Sequence, residues 1–256
     1  MPLYDPTPAI IAMSLEELNF ILNWIREEQG ESYDNPIAVL IGGWAVDAYN
    51  PWYGSVDIDL VTNSETKNTL KTVLKEERGY ESYKIPGRIN TVSKPTGDGE
   101  IKEIIIDFIL RGRIKFEGQE AELDFVIPKE QTTIRELRGR ISAVVPKRSM
   151  LLLLKLKASW DRAYRIDNGT SEDPEWEKSK LIKDYADILA LIDPVHGGRE
   201  LDLNFLGEKL TEFDFLKGCL RNIPENRDAV EKYRQMNYET AGYTIRQILS
   251  LTEVRG

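Results

Sequence analysis

Cysteine occurs once in the 256 residues, as Cys219, which excludes any internal disulfide. Histidine also occurs once, as His196, so a structural zinc site of the usual tetrahedral Cys/His kind cannot be assembled. Basic residues are the minority, 34 against 43 acidic ones, and the net charge of -9 repels a polyanion at long range, which argues against a general nucleic-acid coat protein. Long hydrophobic runs are absent too. None exceeds five residues, the length of Met150 to Leu154, which is far too short to cross a bilayer, and the first 30 residues lack the basic start and apolar core of a secretory signal. The expectation is a soluble, cytoplasmic protein with no membrane partner. What is present, 41% hydrophobic residues, suffices for one large or two modest cores.

The chain changes character near its middle. Ser14 with Glu17 has the spacing of a capping box, and Leu15, Leu18, Ile21, Leu22 and Ile25 recur at helical intervals, predicting an amphipathic helix that ends near Gly30. Ile37 to Ile41 predicts a short strand, Gly42-Gly43 a turn, and Trp44 to Tyr49 a short helix. Val56 to Thr62 has the period of a strand, Lys67 to Arg78 that of a helix, Ser82 to Val92 that of a further strand, and Lys94 to Glu100 the glycine and proline of a turn. Ile101 to Leu110 reads as a buried strand, Ala121 to Ile127 and Ile141 to Val145 as two more, with Thr132 to Leu137 as a short helix between them. From Met150 onward the segments Leu151 to Tyr164, Trp176 to Ile192, Asn204 to Phe213 and Asn226 to Leu251 are helical in pattern. The fold class expected is therefore α/β (α+β), a mixed-sheet domain with an N-terminal helix over 1–149 and a helical domain over 150–256.

The chemistry concentrates in Gly54-Ser55-Val56-Asp57-Ile58-Asp59-Leu60-Val61. Aspartates two apart on a strand project from the same face, about 7 Å apart along the chain. Neighbouring carboxylates destabilise each other's ionised forms unless cations or hydrogen bonds compensate, and hard Mg²⁺ ions compensate while bridging phosphate oxygens. Gly42-Gly43 lies one helix upstream, between a strand and a helix, where small residues let backbone amides approach a phosphate. Asp107 is an acid inside the run Ile104 to Ile109, costly to bury without a partner. A metal shared with Asp57 and Asp59 would be that partner. Asp124 competes for the role, although its neighbours Glu120 and Glu122 suggest a half-exposed face.

The order Gly42-Gly43, Ser55, Asp57-Ile58-Asp59, Asp107 resembles the DNA polymerase beta-like nucleotidyltransferase superfamily: a glycine pair, a helix, a Ser or Thr before Asp-x-Asp, and a third Asp on a later strand. Leu151 to Ala158 with Asp161-Arg162, followed by Lys183 to Leu191, is similar to the helices of the stand-alone AbiE-type toxin nucleotidyltransferases. The resemblance spans about residues 37 to 192. It implies that the first domain is catalytic and the helical one closes its cleft. Asp57, Asp59 and Asp107 would be metal ligands, Gly42, Gly43 and Ser55 would hold the triphosphate, and Lys155 and Asp187 would be functional residues of the helical side. Two Mg²⁺ (or Mn²⁺) ions are implied as cofactors, and a nucleoside triphosphate such as ATP as donor. The acceptor would be a hydroxyl of an RNA or tRNA end, or of a protein side chain, with pyrophosphate released. A small-molecule acceptor, as in aminoglycoside-modifying relatives, and an inactive nucleotide-binding module are the alternatives, and an antitoxin protein is a possible partner. Where relatives often carry Arg two residues before the Ser, this chain has Tyr53.

Read from the residues alone, Lys155 sits in an apolar helical stretch, so its ammonium either snorkels to the surface or reaches into a cleft, where a point charge suits a triphosphate. Asp187 lies one turn after Lys183, a spacing that an ordinary intrahelical ion pair explains. Trp52 or Tyr53 could stack on a base. The cluster Arg135, Arg138, Arg140, Lys147 and Arg148 is explained by RNA binding or by interleaved surface charge.

Overall fold

The structure, a computed structural model, describes residues 6–34, 36–83, 89–97, 103–138 and 141–251. They gather into two compact units. The first runs to Arg113 and resumes over Asp124–Lys147, while the second comprises Ile114–Leu123 and the chain from Arg148 onward.

The first unit begins with helix α1 (Pro8–Glu28), whose N-terminus is capped by Thr7 and not by Ser14. Ser14 has another use. It is fully buried, as are Leu18, Ile21 and Ile25 on the same stripe. Strand β1 (Val39–Ile41) runs directly into α2 (Gly42–Asp47), and then come β2 (Ile58–Thr62) and α3 (Ser64–Arg78). Asn63 caps α3 through its side chain, and Gly79 ends it in the left-handed conformation. The segment expected to be one strand over Ser82 to Val92 is instead β3 (Glu81–Ser82) and β4 (Thr91–Pro95), with residues 84–88 outside those described. The turn expected after Lys94 is displaced likewise, because β4 continues through Pro95.

β5 (Glu103–Leu110) is the central strand of a five-stranded sheet ordered β1-β2-β5-β4-β3. β2 and β5 are parallel, while β1 with β2, β4 with β5 and β3 with β4 are antiparallel. β5 is not buried on both faces as its apolar composition suggests. Ile104, Ile106 and Phe108 are buried, and Glu103, Ile105, Asp107 and Ile109 are only partly so. One face of the strand therefore carries Asp107 without enclosing it in hydrocarbon. A hairpin, β6 (Arg113–Lys115) and β7 (Glu122–Asp124), follows.

β8 (Thr132–Leu137) and β9 (Ile141–Pro146) then pair antiparallel. The helix expected over Thr132 to Leu137 is thus a strand. Thr132, Thr133 and Ile134 are β-branched and favour it. Arg135 and Glu136 alternate about the pleat, which short helical counting over six residues does not distinguish.

In the second unit α4 (Arg148–Asp167) is buried around most of its first three turns, with Met150, Leu151, Leu152, Leu153, Leu154 and Leu156 all in the core. A helix apolar on all sides is one enclosed by others. Here they are α5 (Pro174–Ile192), α6 (Leu203–Glu212) and α7 (Leu216–Asn222), with α8 (Arg227–Tyr233) packed on α5 and α9 (Tyr238–Ser250) on α6 and α7. The single helix expected over Asn226 to Leu251 is two, separated where Arg234 takes a left-handed backbone and Asn237 caps the next helix. Phe116, from the hairpin segment, belongs to this core and meets Phe213 and Phe215 at ring separations of 5.0 Å each. Among the described residues no helix is long and apolar enough to cross a membrane.

Candidate functional site

The sheet register brings two of the expected carboxylates together. Asp59 of β2 is the direct pairing partner of Asp107 of β5. In a parallel pair such residues lie on the same face about 4.8 Å apart, strand to strand. Asp124 is an exposed residue at the end of β7, outside the five-stranded sheet, and its Oδ1 accepts from the Val126 amide at 2.7 Å.

Asp57 is placed differently from the expectation. The strand begins at Ile58, so Asp57 lies in the bend before it. Its backbone is nevertheless held. Ser14 Oγ donates to Val56 O at 2.6 Å and accepts from Trp44 Nε1 at 3.0 Å, tying α1, α2 and the bend in one chain of bonds. Ser55 Oγ donates to Asp57 O at 3.1 Å. Ser14 was missed by sequence reading because its spacing to Glu17 imitates a cap. The signal that could have found it is its place on the apolar stripe, in phase with Leu18, Ile21 and Ile25.

Gly42 begins α2 with φ +69, and a Cβ built on it would lie 1.9 Å from Asp59 Oδ2. Glycine is therefore required twice, for the left-handed backbone and for the room that the Asp59 carboxylate occupies. Gly43 is buried as the second residue of the helix. α2 is pinned at its far end by Asp47, which is buried and accepts two bonds from Arg138, Nε to Oδ2 at 3.0 Å and Nη2 to Oδ1 at 2.7 Å.

The other face of the third carboxylate has a partner that sequence reading also missed. Thr91 Oγ1 donates to Asp107 Oδ1 at 2.5 Å. Only the strand register reveals that pairing, since Thr91 and Asp107 lie 16 residues apart in the sequence.

Divalent metal is the expected cofactor, and these residues can be tested for fit. Among the described residues no group of three or more His, Cys, Asp or Glu is gathered closely enough to hold a metal ion by itself. Mg²⁺, however, is commonly bound through one or two carboxylates, its remaining positions filled by water and substrate phosphate. Asp59 and Asp107 supply two hard oxygen donors side by side, and the missing Cβ of Gly42 keeps one of them from being displaced. The donor set fits.

Lys155 and Asp187 lie in the second unit, and there the geometry is that of a buried ion network. Lys155 Nζ is 2.8 Å from Asp184 Oδ1 and 2.7 Å from Asp187 Oδ2, and Lys183 Nζ is 2.7 Å from the same Asp187 oxygen. Arg162 Nε completes it at 2.9 Å from Asp184 Oδ2. Burial alone would lower the Lys155 pKa, but Asp184 and Asp187 outweigh it and hold the ammonium charged. Burial also lowers Lys183, and Lys155 adds to that effect against the opposing pull of Asp187. Asp184 is pushed up by burial and drawn down further by Lys155 and Arg162, to about 2. The Lys183–Asp187 pair expected from helical spacing is present, and Lys155 is neither a surface lysine nor one without a counter-ion. Asp187 Oδ1 is buried without a hydrogen-bond partner.

The remaining candidates find local explanations. Trp52 and Tyr53 stack on each other at 4.9 Å. Asp193 Oδ2 lies 2.9 Å from His196 Nδ1 and accepts from Tyr233 at 2.6 Å, which ties the turn after α5 to α8. The basic cluster is dispersed: Arg135 lies over the Tyr49 ring, Arg138 serves Asp47, Arg148 caps carbonyls of Leu191 and His196, and Arg140 lies outside the described residues.

No protein-family profile matches the chain, and no curated protein matches it. Among solved structures it is similar to the solution structure of the antibiotic-resistance factor ANT(2'')-Ia, with a TM-score of 0.40 and 14% identity over 78% of this chain and 95% of that one. A likeness of that size carries no argument.

Proposed function

We propose that the protein is a metal-dependent nucleotidyltransferase, moving a nucleoside monophosphate from a nucleoside triphosphate to an acceptor hydroxyl with release of pyrophosphate. The observation that supports this most is the register of Asp59 with Asp107, next to a glycine that makes room for Asp59. Two adjacent carboxylates repel each other when ionised, and a cation held between them would offset that repulsion.

In this reading Asp59 and Asp107 hold the divalent ions, Mg²⁺ or Mn²⁺, with Asp57 contributing from the bend. When bound, the metal neutralises triphosphate charge and lowers the pKa of the attacking hydroxyl. The chain's own work is positioning. Gly42 and Gly43 allow the backbone to approach the phosphates, and Ser55 keeps the bend before Asp57 in shape. Asp107 would also take the proton of the attacking hydroxyl. The acceptor class, RNA end, protein side chain or small molecule, is open to one assay, as is an antitoxin that would block it. Lys155 and Asp187 enter this reading as residues that shape the helical unit, with Lys155 committed to two carboxylates.

The test is incubation of the protein with each labelled nucleoside triphosphate, Mg²⁺ or Mn²⁺, and total RNA, cell extract or an aminoglycoside set in turn. Label should move to one acceptor class in wild type and in Asp124→Ala, and fall by about 10²-fold or more in Asp59→Asn and Asp107→Asn, the scale of losing one preorganised electrostatic contact. Undiminished transfer in Asp59→Asn would reject the assignment.

A further inference from the structure

One transverse row of residues crosses four strands of the five-stranded sheet. Ile41 pairs with Asp59, Asp59 with Asp107, and Asp107 with Thr91. The row therefore sets a hydroxyl beside the second of two adjacent carboxylates. Thr91 is 3% exposed, and its Oγ1 donates to Asp107 Oδ1.

That hydroxyl is itself fixed. The Phe108 amide donates to Asn90 O at 3.1 Å and the Tyr83 amide to Thr91 O at 3.2 Å, so the start of β4 is held from both sides. Lys67 of α3 donates to the Asn90 side chain at 3.0 Å and anchors the turn that leads in. A β-branched residue on a strand has little freedom about χ1, which helps to hold the donor in place.

We infer that Thr91 is a positioning residue for Asp107. Its Oγ1–H donates to Oδ1 and sets the plane of the carboxylate, so that Asp107 meets a divalent cation at Asp59 already oriented. The inference rests on the reading of Asp59 and Asp107 as cation ligands. Groups that orient metal ligands are typically worth about 10- to 100-fold in metal affinity. A threonine present only to fill space would be replaced without loss by valine, which has the same shape and no donor.

The experiment is a Mn²⁺ titration in the presence of a non-hydrolysable nucleoside triphosphate, whose phosphates complete the metal's shell, followed by electron paramagnetic resonance on wild type, Thr91→Val, Thr91→Ser and Asp107→Asn, with thermal melts alongside. Thr91→Val should bind Mn²⁺ about 10- to 100-fold more weakly while melting close to wild type, and Thr91→Ser should recover most of the affinity. In transfer assays the Thr91→Val defect should shrink as Mn²⁺ is raised. Wild-type Mn²⁺ affinity in Thr91→Val, with affinity lost in Asp107→Asn, overturns the role of Thr91 and leaves the reading of the site intact. Wild-type affinity in Asp107→Asn removes that reading, and the inference with it. Should Thr91→Val fail to fold, Thr91→Ala compared with Thr91→Ser decides on the same readout.

Discussion

Gly42 joins backbone and site in one position. With φ at +69, an L side chain there costs about 1–2 kcal/mol before any contact is considered. Its Cβ would also overlap Asp59 Oδ2 at 1.9 Å, so the carboxylate must rotate out of the row it shares with Asp107. Gly42→Ala is expected to melt a few degrees lower and to lose Mn²⁺-induced stabilisation entirely, checked by melts with and without the ion. Retained stabilisation would mean that Asp59 does not need its present rotamer. Ser14 offers a second check. Its hydroxyl serves both Trp44 Nε1 and Val56 O, and Ser14→Ala leaves both buried groups without that partner. A loss of about 1–3 kcal/mol in denaturant unfolding is expected, the cost of stranding a buried polar group. A change below a few tenths would show that water replaces the hydroxyl.

At the scale of elements, α4 and α5 are joined by charge inside an apolar core. Asp184 is 9% exposed at its side chain and Lys155 8%, so solvent screens their pairing little. Lys155→Ala leaves Asp184 and Asp187 buried with fewer counter-charges and should cost about 3–5 kcal/mol, toward the lower end because Lys183 and Arg162 remain. A melting temperature unchanged from wild type would refute this. The pH dependence has a definite sign. Asp184 titrates at about 2 in the folded chain against 3.8 for an unperturbed carboxyl, so its contribution is complete above about pH 4 and disappears as pH falls toward 2. Asp184→Asn should remove that part of the acid destabilisation, seen as a flatter dependence of stability on pH in this window.

The elements also show what could be read beforehand. Period and composition gave α3, β5, α4 and α5 within a few residues of their observed bounds, whereas α1 begins at Pro8, ahead of the Ser14 that imitates a cap, and α2 takes in the Gly42-Gly43 expected as a turn. Asp59 and Asp107 were legible because an acid among isoleucines needs a reason. What could not be read depends on distance across the sheet. Nothing local to Thr91 says that it faces Asp107, and nothing local to Lys155 says that two aspartates wait on another helix. The strand at Thr132 to Leu137 was missed for a different reason: six residues are too few for period alone to separate strand from helix.

At the scale of the molecule, the second unit includes Ile114–Leu123, residues that precede it by a whole hairpin of the first. Phe116 is 1% exposed among its aromatic rings, Lys157 donates to Lys115 O at 2.9 Å, and Trp160 Nε1 to Glu117 O at 2.9 Å. A fragment of residues 148–256 therefore lacks part of its own core. Such a fragment should show poor cooperativity in thermal melts and bind an apolar dye. The same fragment with residues 113–124 joined through a flexible linker should melt sharply. Equal melts would mean that the hairpin segment is dispensable to the helices.

The interleaved chain has a consequence for inheritance. A genetic crossover at the codon for Arg148 would look like a clean exchange of one half for another, yet it would separate the helices from the phenylalanine that fills them, and the lysine and tryptophan that hold that segment would lose their acceptors. The helical half can be shuffled between genes only together with a short cassette encoded upstream, inside the other half. Lineages of such proteins are therefore expected to change these two stretches in step, with Phe116 and its aromatic neighbours substituted as a set.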